Sequence, residues 1–206
     1  RVSSGAAFTQ IAAGWRHTCA IDAGGRAYCW GASDSGQAGT SGTGPTSPTA
    51  IGGDYQFRAL SAGNAHTCGL LADGRIACWG ANESGQLGDG TTQSRPGPAA
   101  VTSTGGFSAV DAGGVHTCAL SSEGSALCWG SNVYGQLGDG TTQTRNTPAP
   151  VTGFNRFSQI EAFGSHNCAR TPGGDVLCWG YNVEGQLGDG TRENKLVPTP
   201  VSSARP

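Results

Sequence analysis

Apolar and polar positions alternate along short stretches of this chain, and the stretches come in sets. Phe107 to Ala112 alternates apolar with polar, His116 to Ser121 and Ser125 to Gly130 are short runs bounded by Gly, and Pro148 to Val151 follows a long turn-rich segment. That pattern predicts four short strands. No window holds a convincing helical period over ten or more residues, and Gly or Pro interrupts most that come close.

The same set occurs four times. His17-Thr18-Cys19 with Cys29-Trp30-Gly31, His66-Thr67-Cys68 with Cys78-Trp79-Gly80, His116-Thr117-Cys118 with Cys128-Trp129-Gly130, and His166-Asn167-Cys168 with Cys178-Trp179-Gly180 align at steps of 49, 50 and 50 residues. Each is followed by a Gly-rich segment, Gly85-Gln86-Leu87-Gly88-Asp89-Gly90-Thr91 in the second unit, which has decayed to Gly36-Gln37-Ala38-Gly39-Thr40 in the first. A four-stranded unit at this period predicts a β-propeller blade, since one small sheet cannot bury both faces and radial stacking supplies the partner. The expected fold is all-β: one propeller domain over residues 1–206, with units at about 8–51, 57–101, 107–151 and 157–201. A Pro-containing strand ending in Ile or Val stands before each later unit, at 48–51, 98–101 and 148–151, and none stands before Phe8. Its counterpart at 197–201 is therefore expected to complete the N-terminal sheet and close the ring, protecting two open edges.

Ala112 to Leu120, then Trp129-Gly130-Ser131-Asn132 and Gly135-Gln136-Leu137-Gly138, resemble the repeat of the regulator of chromosome condensation family, in all four units and over nearly the whole chain. The resemblance implies a propeller, most often of seven blades, acting as a rigid platform for macromolecular partners. Members of that family include a nuclear nucleotide-exchange factor, a plant ultraviolet-B photoreceptor, and bacterial envelope or secreted proteins, one kind of which inhibits β-lactamases. Fold does not choose among these.

Composition narrows the field. Eleven Arg and one Lys against fourteen acidic residues give a net charge of -2 with no basic cluster, so nucleic acid is not an expected partner. No run approaches the roughly 20 apolar residues of a membrane span. With Arg1 first and no Met, the chain reads as a mature or trimmed product.

The eight cysteines fall two per unit, always ten positions apart. A three-residue Ala72-Asp73-Gly74 loop with Gly74 in the left-handed region sets Leu71 opposite Arg75 and Cys68 opposite Cys78, close enough for a bridge. Disulfides Cys19–Cys29, Cys68–Cys78, Cys118–Cys128 and Cys168–Cys178 are expected, and with them an oxidising compartment: secreted, periplasmic or cell-surface, the signal peptide removed. Buried free thiols, or zinc shared with His17 two residues from Cys19, are the competing uses.

The remaining polar repeats read as structural. The four His are expected to make a repeated buried hydrogen bond that fixes the turn before their strand, a metal-binding imidazole ring near the axis being the alternative. Asp89, Asp139 and Asp189 fit tight turns better than calcium loops, lacking the alternating carboxylates of the latter. Trp30, Trp79, Trp129 and Trp179 are expected between sheets. No catalytic motif is present, so neither catalysis, metal nor cofactor is expected. Asn82-Glu83-Ser84 matches a glycosylation sequon.

Function is then expected where the units differ, in exposed loops. Trp15, Arg16, Asp34, Glu83, Tyr134, Glu184, Arg95, Arg145, Arg192 and the loop 40–47 are the candidate contacts for a protein or glycan partner. The expected function is a non-enzymatic exported binding or scaffold module. A structural subunit of a larger envelope or extracellular assembly, as member of a larger complex or homo-oligomer, is one alternative, and an intracellular exchange-type regulator is another.

Overall fold

A computed structural model describes residues 7–103, 105–153 and 156–202, which contain sixteen strands and no helix. The first sheet is β1 (Phe8–Ala13), β2 (His17–Asp22), β3 (Ala27–Gly31) and β4 (Thr49–Ala50); the second is β5 (Phe57–Ala62), β6 (His66–Leu71), β7 (Ile76–Gly80) and β8 (Arg95–Ala100). The third is β9 (Phe107–Ala112), β10 (His116–Ser121), β11 (Ala126–Gly130) and β12 (Arg145–Pro150), and the fourth is β13 (Gln159–Phe163), β14 (His166–Arg170), β15 (Val176–Gly180) and β16 (Lys195–Pro200). Each is an antiparallel meander in chain order.

The central hairpin follows from local chemistry. Gly25, Gly74, Gly124 and Gly174 all have φ between 81° and 95°, the left-handed conformation a three-residue hairpin loop needs. The Leu71 amide then donates to the Arg75 carbonyl at 2.8 Å, and the register places Cys68 opposite Cys78. All four bridges form as the spacing predicts, no cysteine is free, and each joins directly facing residues of the second and third strands.

The expected ring closure is corrected. β16 does not pair with β1; it pairs with β15, with Leu177 facing Pro200 and Gly180 facing Lys195. The Pro-containing strands at 98–101 and 148–151 likewise belong to the sheets that precede them, β8 on β7 and β12 on β11. Proline is tolerated there because this fourth strand is the outer edge of its sheet, where a missing N–H costs little. No strand is therefore missing from the first sheet. β1, β5, β9 and β13 are the inner strands, and β1 packs on β5, β5 on β9, and β9 on β13, with no comparable packing of β13 on β1 among the described residues. The four blades form an arc.

Three apolar cores lie between consecutive sheets, one at each junction. Trp79, Trp129 and Trp179 are fully buried there, and each indole N–H donates to a main-chain carbonyl of the preceding blade: Gln37 at 3.0 Å, Gln86 at 2.9 Å and Gln136 at 3.0 Å. Trp30, with no blade before it among the described residues, is only partly buried and stacks on Phe8. Trp129→Ala is expected to destabilise the fold by about 3–5 kcal/mol. The chemical denaturation midpoint of the variant tests this; an unchanged midpoint would contradict the junction role.

Candidate functional site: the loop face

The strand register gathers the variable residues. Because His17 pairs with Gly31 and His66 with Gly80, the turn before each second strand and the long loop after each third strand emerge at the same end of the blade. The amides of Ala32, Ala81, Ser131 and Tyr181 tie the long loops to the turns by donating to the carbonyls of Arg16, Ala65, Val115 and Ser165, at 2.7–2.9 Å. One face of the arc thus carries eight loops.

Each long loop is built around a buried amide. Asn82 Oδ1 accepts the Leu87 amide at 2.9 Å, while Nδ2 lies 3.1–3.2 Å from Asp89 Oδ1, the Thr91 carbonyl and hydroxyl, and the Gln93 carbonyl. Asn132 and Asn182 repeat the arrangement. In the first loop Ser33 substitutes, donating to the Thr40 carbonyl and accepting the Ala38 amide. Asn82 is wholly buried, so the sequon at 82–84 offers no accessible acceptor in the folded protein.

The carboxylates of the loops are engaged as turn residues. Asp89 Oδ1 accepts the Thr91 amide at 2.9 Å and its hydroxyl at 2.7 Å, and Oδ2 accepts Arg95 Nε at 2.7 Å. Burial pushes this acid's pKa up, but the bonds from Thr91, Arg95 and Asn82 outweigh it and hold Asp89 below the usual carboxylate range; Asp139 behaves alike. Arg145 makes the same contact to Asp139 at 3.0 Å, and in the fourth loop the cation is Lys195, 3.2 Å from Asp189. Arg95 and Arg145 are therefore committed to their own loops. Arg192 belongs to a different position: it lies on the loop, donates to the Val183 carbonyl at 2.9 Å and sits 3.8 Å from Glu184.

The other candidates reach solvent on the face. Trp15 is 77% exposed, beside Arg16, whose guanidinium meets Asp34 at 3.3 Å with both side chains in solvent. Glu83 accepts the Ser94 hydroxyl at 2.7 Å, and Tyr134 meets Tyr181 edge to face at 4.9 Å. Trp15 and Phe163, itself 78% exposed, border a cleft of about 200 Å³ floored by Gly14, Gly63 and Gly113. A larger axial cleft of about 640 Å³ runs along the inner strands and contains Asp111. That carboxyl accepts the Ser61 hydroxyl and the Ala162 amide, both at 2.6 Å, and burial raises its pKa. It bridges three blades, a role the sequence signals only as one Asp where the first two units have Ala12 and Ser61.

Three of the four histidines make the repeated buried bond, but not to their own turns, and the fourth, His166, is only partly buried and makes no such bond among the described residues. His17 Nε2 lies 2.8 Å from Thr67 Oγ1, His66 Nε2 2.9 Å from Thr117 Oγ1, and His116 Nε2 2.8 Å from Asn167 Oδ1, each on the following blade. Thr67 and Thr117 donate onward to the carbonyls of Gln37 and Gln86, so His17 and His66 donate from Nε2, while Nδ1 of each is buried without a partner and burial lowers the pKa, which leaves the rings neutral at pH 7. The imidazoles of His17, His66 and His116 lie between blades, and their neighbouring cysteines are in disulfides. No metal-holding cluster of His, Cys, Asp and Glu occurs among the described residues.

Four disulfide-bonded, four-stranded blades locked by Trp, His and Gln from one to the next define a β-propeller of repeated blades. The chain matches the RCC1-like domain over residues 1–205, and it belongs to that family. It is similar to human WBSCR16 (27% identity, TM-score 0.87, covering 99% of this chain and 55% of that one). Yeast RCC1 (Prp20), in a structure bound to Kap60, shares the fold at 20% identity and TM-score 0.87, covering 99% of this chain and 50% of that one. The Physcomitrella patens receptor kinase CR4 ectodomain aligns more loosely, at 24% identity and TM-score 0.58, covering 86% of this chain and 40% of that one. This chain spans about half the length of the first two. No curated protein sequence matches it significantly.

Proposed function

We propose that the chain is a non-enzymatic binding module of an exported protein, presenting the loop face to a protein partner. The observation that carries this reading is a division of labour among side chains. His17, His66 and His116, the cysteines, and the repeated Asn and loop Asp are consumed in holding the blades, whereas Trp15, Arg16, Asp34, Glu83, Tyr134, Glu184 and Arg192 vary between units and reach solvent on one face. An exposed Trp flanked by both signs of charge is the composition of an interface anchor with a polar rim. Yeast Prp20 supports the choice of protein over glycan, since it is bound by Kap60 and was characterised for binding to Gsp1p and histones. Four disulfides favour an oxidising compartment over an intracellular regulator.

The test is cross-linking capture from extracellular and cell-surface material with the oxidised protein, followed by affinity measurement on the protein captured. Trp15→Ala is expected to weaken binding by about tenfold or more, as for an anchor residue, with the unfolding midpoint unchanged. Asp73→Ala and Glu123→Ala, on the opposite face, should leave it intact. Loss of binding through Asp73 or Glu123 and not Trp15 would place the interface on the other side and end this reading.

A further inference from the structure

The first long loop lacks the fastenings of the other three. In the second, Asn82 donates to the Thr91 and Gln93 carbonyls, Asp89 accepts the Thr91 amide and hydroxyl and is clamped by Arg95, and Ser94 bonds the Asn82 amide and Glu83. The third and fourth loops keep the Asn, the Asp and the cation. In the first, the same places hold Ser33, Thr40 and Pro45, which can form no ion pair, and Ser33 donates only to the Thr40 carbonyl. The chain is next fixed where the Gly31 amide donates to the Pro45 carbonyl at 2.8 Å. Between these two anchors, residues 41–44 make no main-chain or side-chain hydrogen bond among the described residues.

Ser41 and Thr43 are both exposed, and their exposure comes from their place in the loop. Thr92 and Gln93, and Thr142 and Gln143, occupy the corresponding stretch of the second and third loops, which have a blade on either side, and they too are exposed. Composition sets the first loop apart again. Residues 35–53 carry no charge, and Ser41, Thr43, Thr46 and Ser47 stand among Gly42, Gly44, Pro45 and Pro48. Hydroxyl residues spaced by Gly and Pro, with nothing to pack and no ladder to join, have the composition of O-glycosylated segments. A hydroxyl on unbonded backbone can enter an enzyme's active site without disturbing the blade. Thr92 lies between two clamped carbonyls and lacks that freedom.

We propose, resting on the reading above that the protein is exported, that Ser41 and Thr43 are O-glycosylation sites. The donor is a hexose activated as a nucleotide or polyprenyl phosphate, and a separate transferase carries out the step. The hydroxyl oxygen attacks the anomeric carbon, the bond from that carbon to the phosphate oxygen breaks, and the phosphate leaves with the electron pair. The hydroxyl proton passes to a base of the transferase. The modified loop joins β3 to β4 at the end of the blade that carries Asp34, so the sugar stands on the loop face and forms part of the surface offered to the partner. Phosphorylation is the other modification open to such hydroxyls, and here no charged neighbour is present for a kinase to read.

Peptide mapping of the protein purified from its native source tests this. Cleavage after Arg26 and Arg58 releases residues 27–58 with the whole first loop, and cleavage after Arg75 and Arg145 releases 76–145 with the second and third, Arg95 being protected by Pro96. The expected result is a 27–58 peptide heavier by whole hexose residues, which fragmentation places on Ser41 and Thr43, and an unmodified 76–145. Ser41→Ala combined with Thr43→Ala, made in the same host, should remove the increment and leave the denaturation midpoint unchanged, since neither hydroxyl holds the fold. An unmodified 27–58 peptide in protein whose eight cysteines are all bridged would overturn the proposal and leave export standing. The same peptide, unmodified, in protein with free thiols would overturn both. Phosphate on Ser41 or Thr43, or sugar on Thr92 or Thr142, would also overturn it.

Discussion

Unfolded in denaturant with reductant present and then returned to buffer that still holds reductant, the chain is expected not to recover its native near-ultraviolet circular dichroism. The oxidised chain, treated identically without reductant, should recover it. Each bridge joins residues ten positions apart, and closing so short a loop is worth roughly 2–3 kcal/mol in unfolded-state entropy. Four such loops sum to about 10 kcal/mol, comparable with the whole stability of an ordinary domain, about 5–15 kcal/mol. Blades this small leave little else to offset that loss: each sheet has four short strands, and the first has only Thr49–Ala50 as its fourth. The first three bridges are also completely shielded, whereas Cys168 of the fourth is only partly buried, so reductant added to the folded protein should act slowly on those three until the chain opens. Recovery of the native spectrum in the reduced state would show that the junction cores suffice alone.

Much of this was legible in the residues, for identifiable reasons. Period-two alternation and a Gly at the left-handed hairpin position determine strand pairing locally, so the facing of Cys68 and Cys78 could be read from spacing. Trp79, Trp129 and Trp179 between sheets followed from their recurrence. The ownership of the Pro-containing strands was not legible, because a strand between two units carries no local mark of which sheet it joins. That is settled by the long loop, whose buried Asn82 or Asn132 folds the chain back beside its own third strand. The histidine bonds were legible in kind but not in target. Their acceptors lie 50 or 51 positions away on another blade, a distance at which only the assembled junction brings side chains together. Arg192 was grouped with Arg95 and Arg145 by residue type, yet the equivalent cation is Lys195, since Gly180 pairs with Lys195 as Gly80 pairs with Arg95.

Those same histidines make the fold acid-sensitive. Burial pushes His17 down to about 4; burial, aided by the charges of His116 and His17, pushes His66 down to about 3; and burial pushes His116 down to about 4, against a smaller upward effect of the Asn167 bond. In each the proton would enter at Nδ1, which is buried without a partner. The unfolded chain binds these protons near pH 6.5 and the folded chain only near pH 3–4. Stability from this source is therefore complete above pH 6.5 and is lost as pH falls toward 4, by about 3 kcal/mol for each histidine. Asp111, whose pKa is raised, works in the opposite direction, but it is one group against three. Denaturation midpoints should be level from pH 8 to pH 6.5 and fall steeply from there to pH 4.5. His66→Gln, whose side chain retains an N–H for Thr117 but does not titrate, should start from a lower midpoint and fall less steeply. A wild-type midpoint unchanged between pH 7 and pH 4.5 would mean that the imidazoles take up protons within the intact junctions, and that the blade interfaces are far more open to water than their packing indicates.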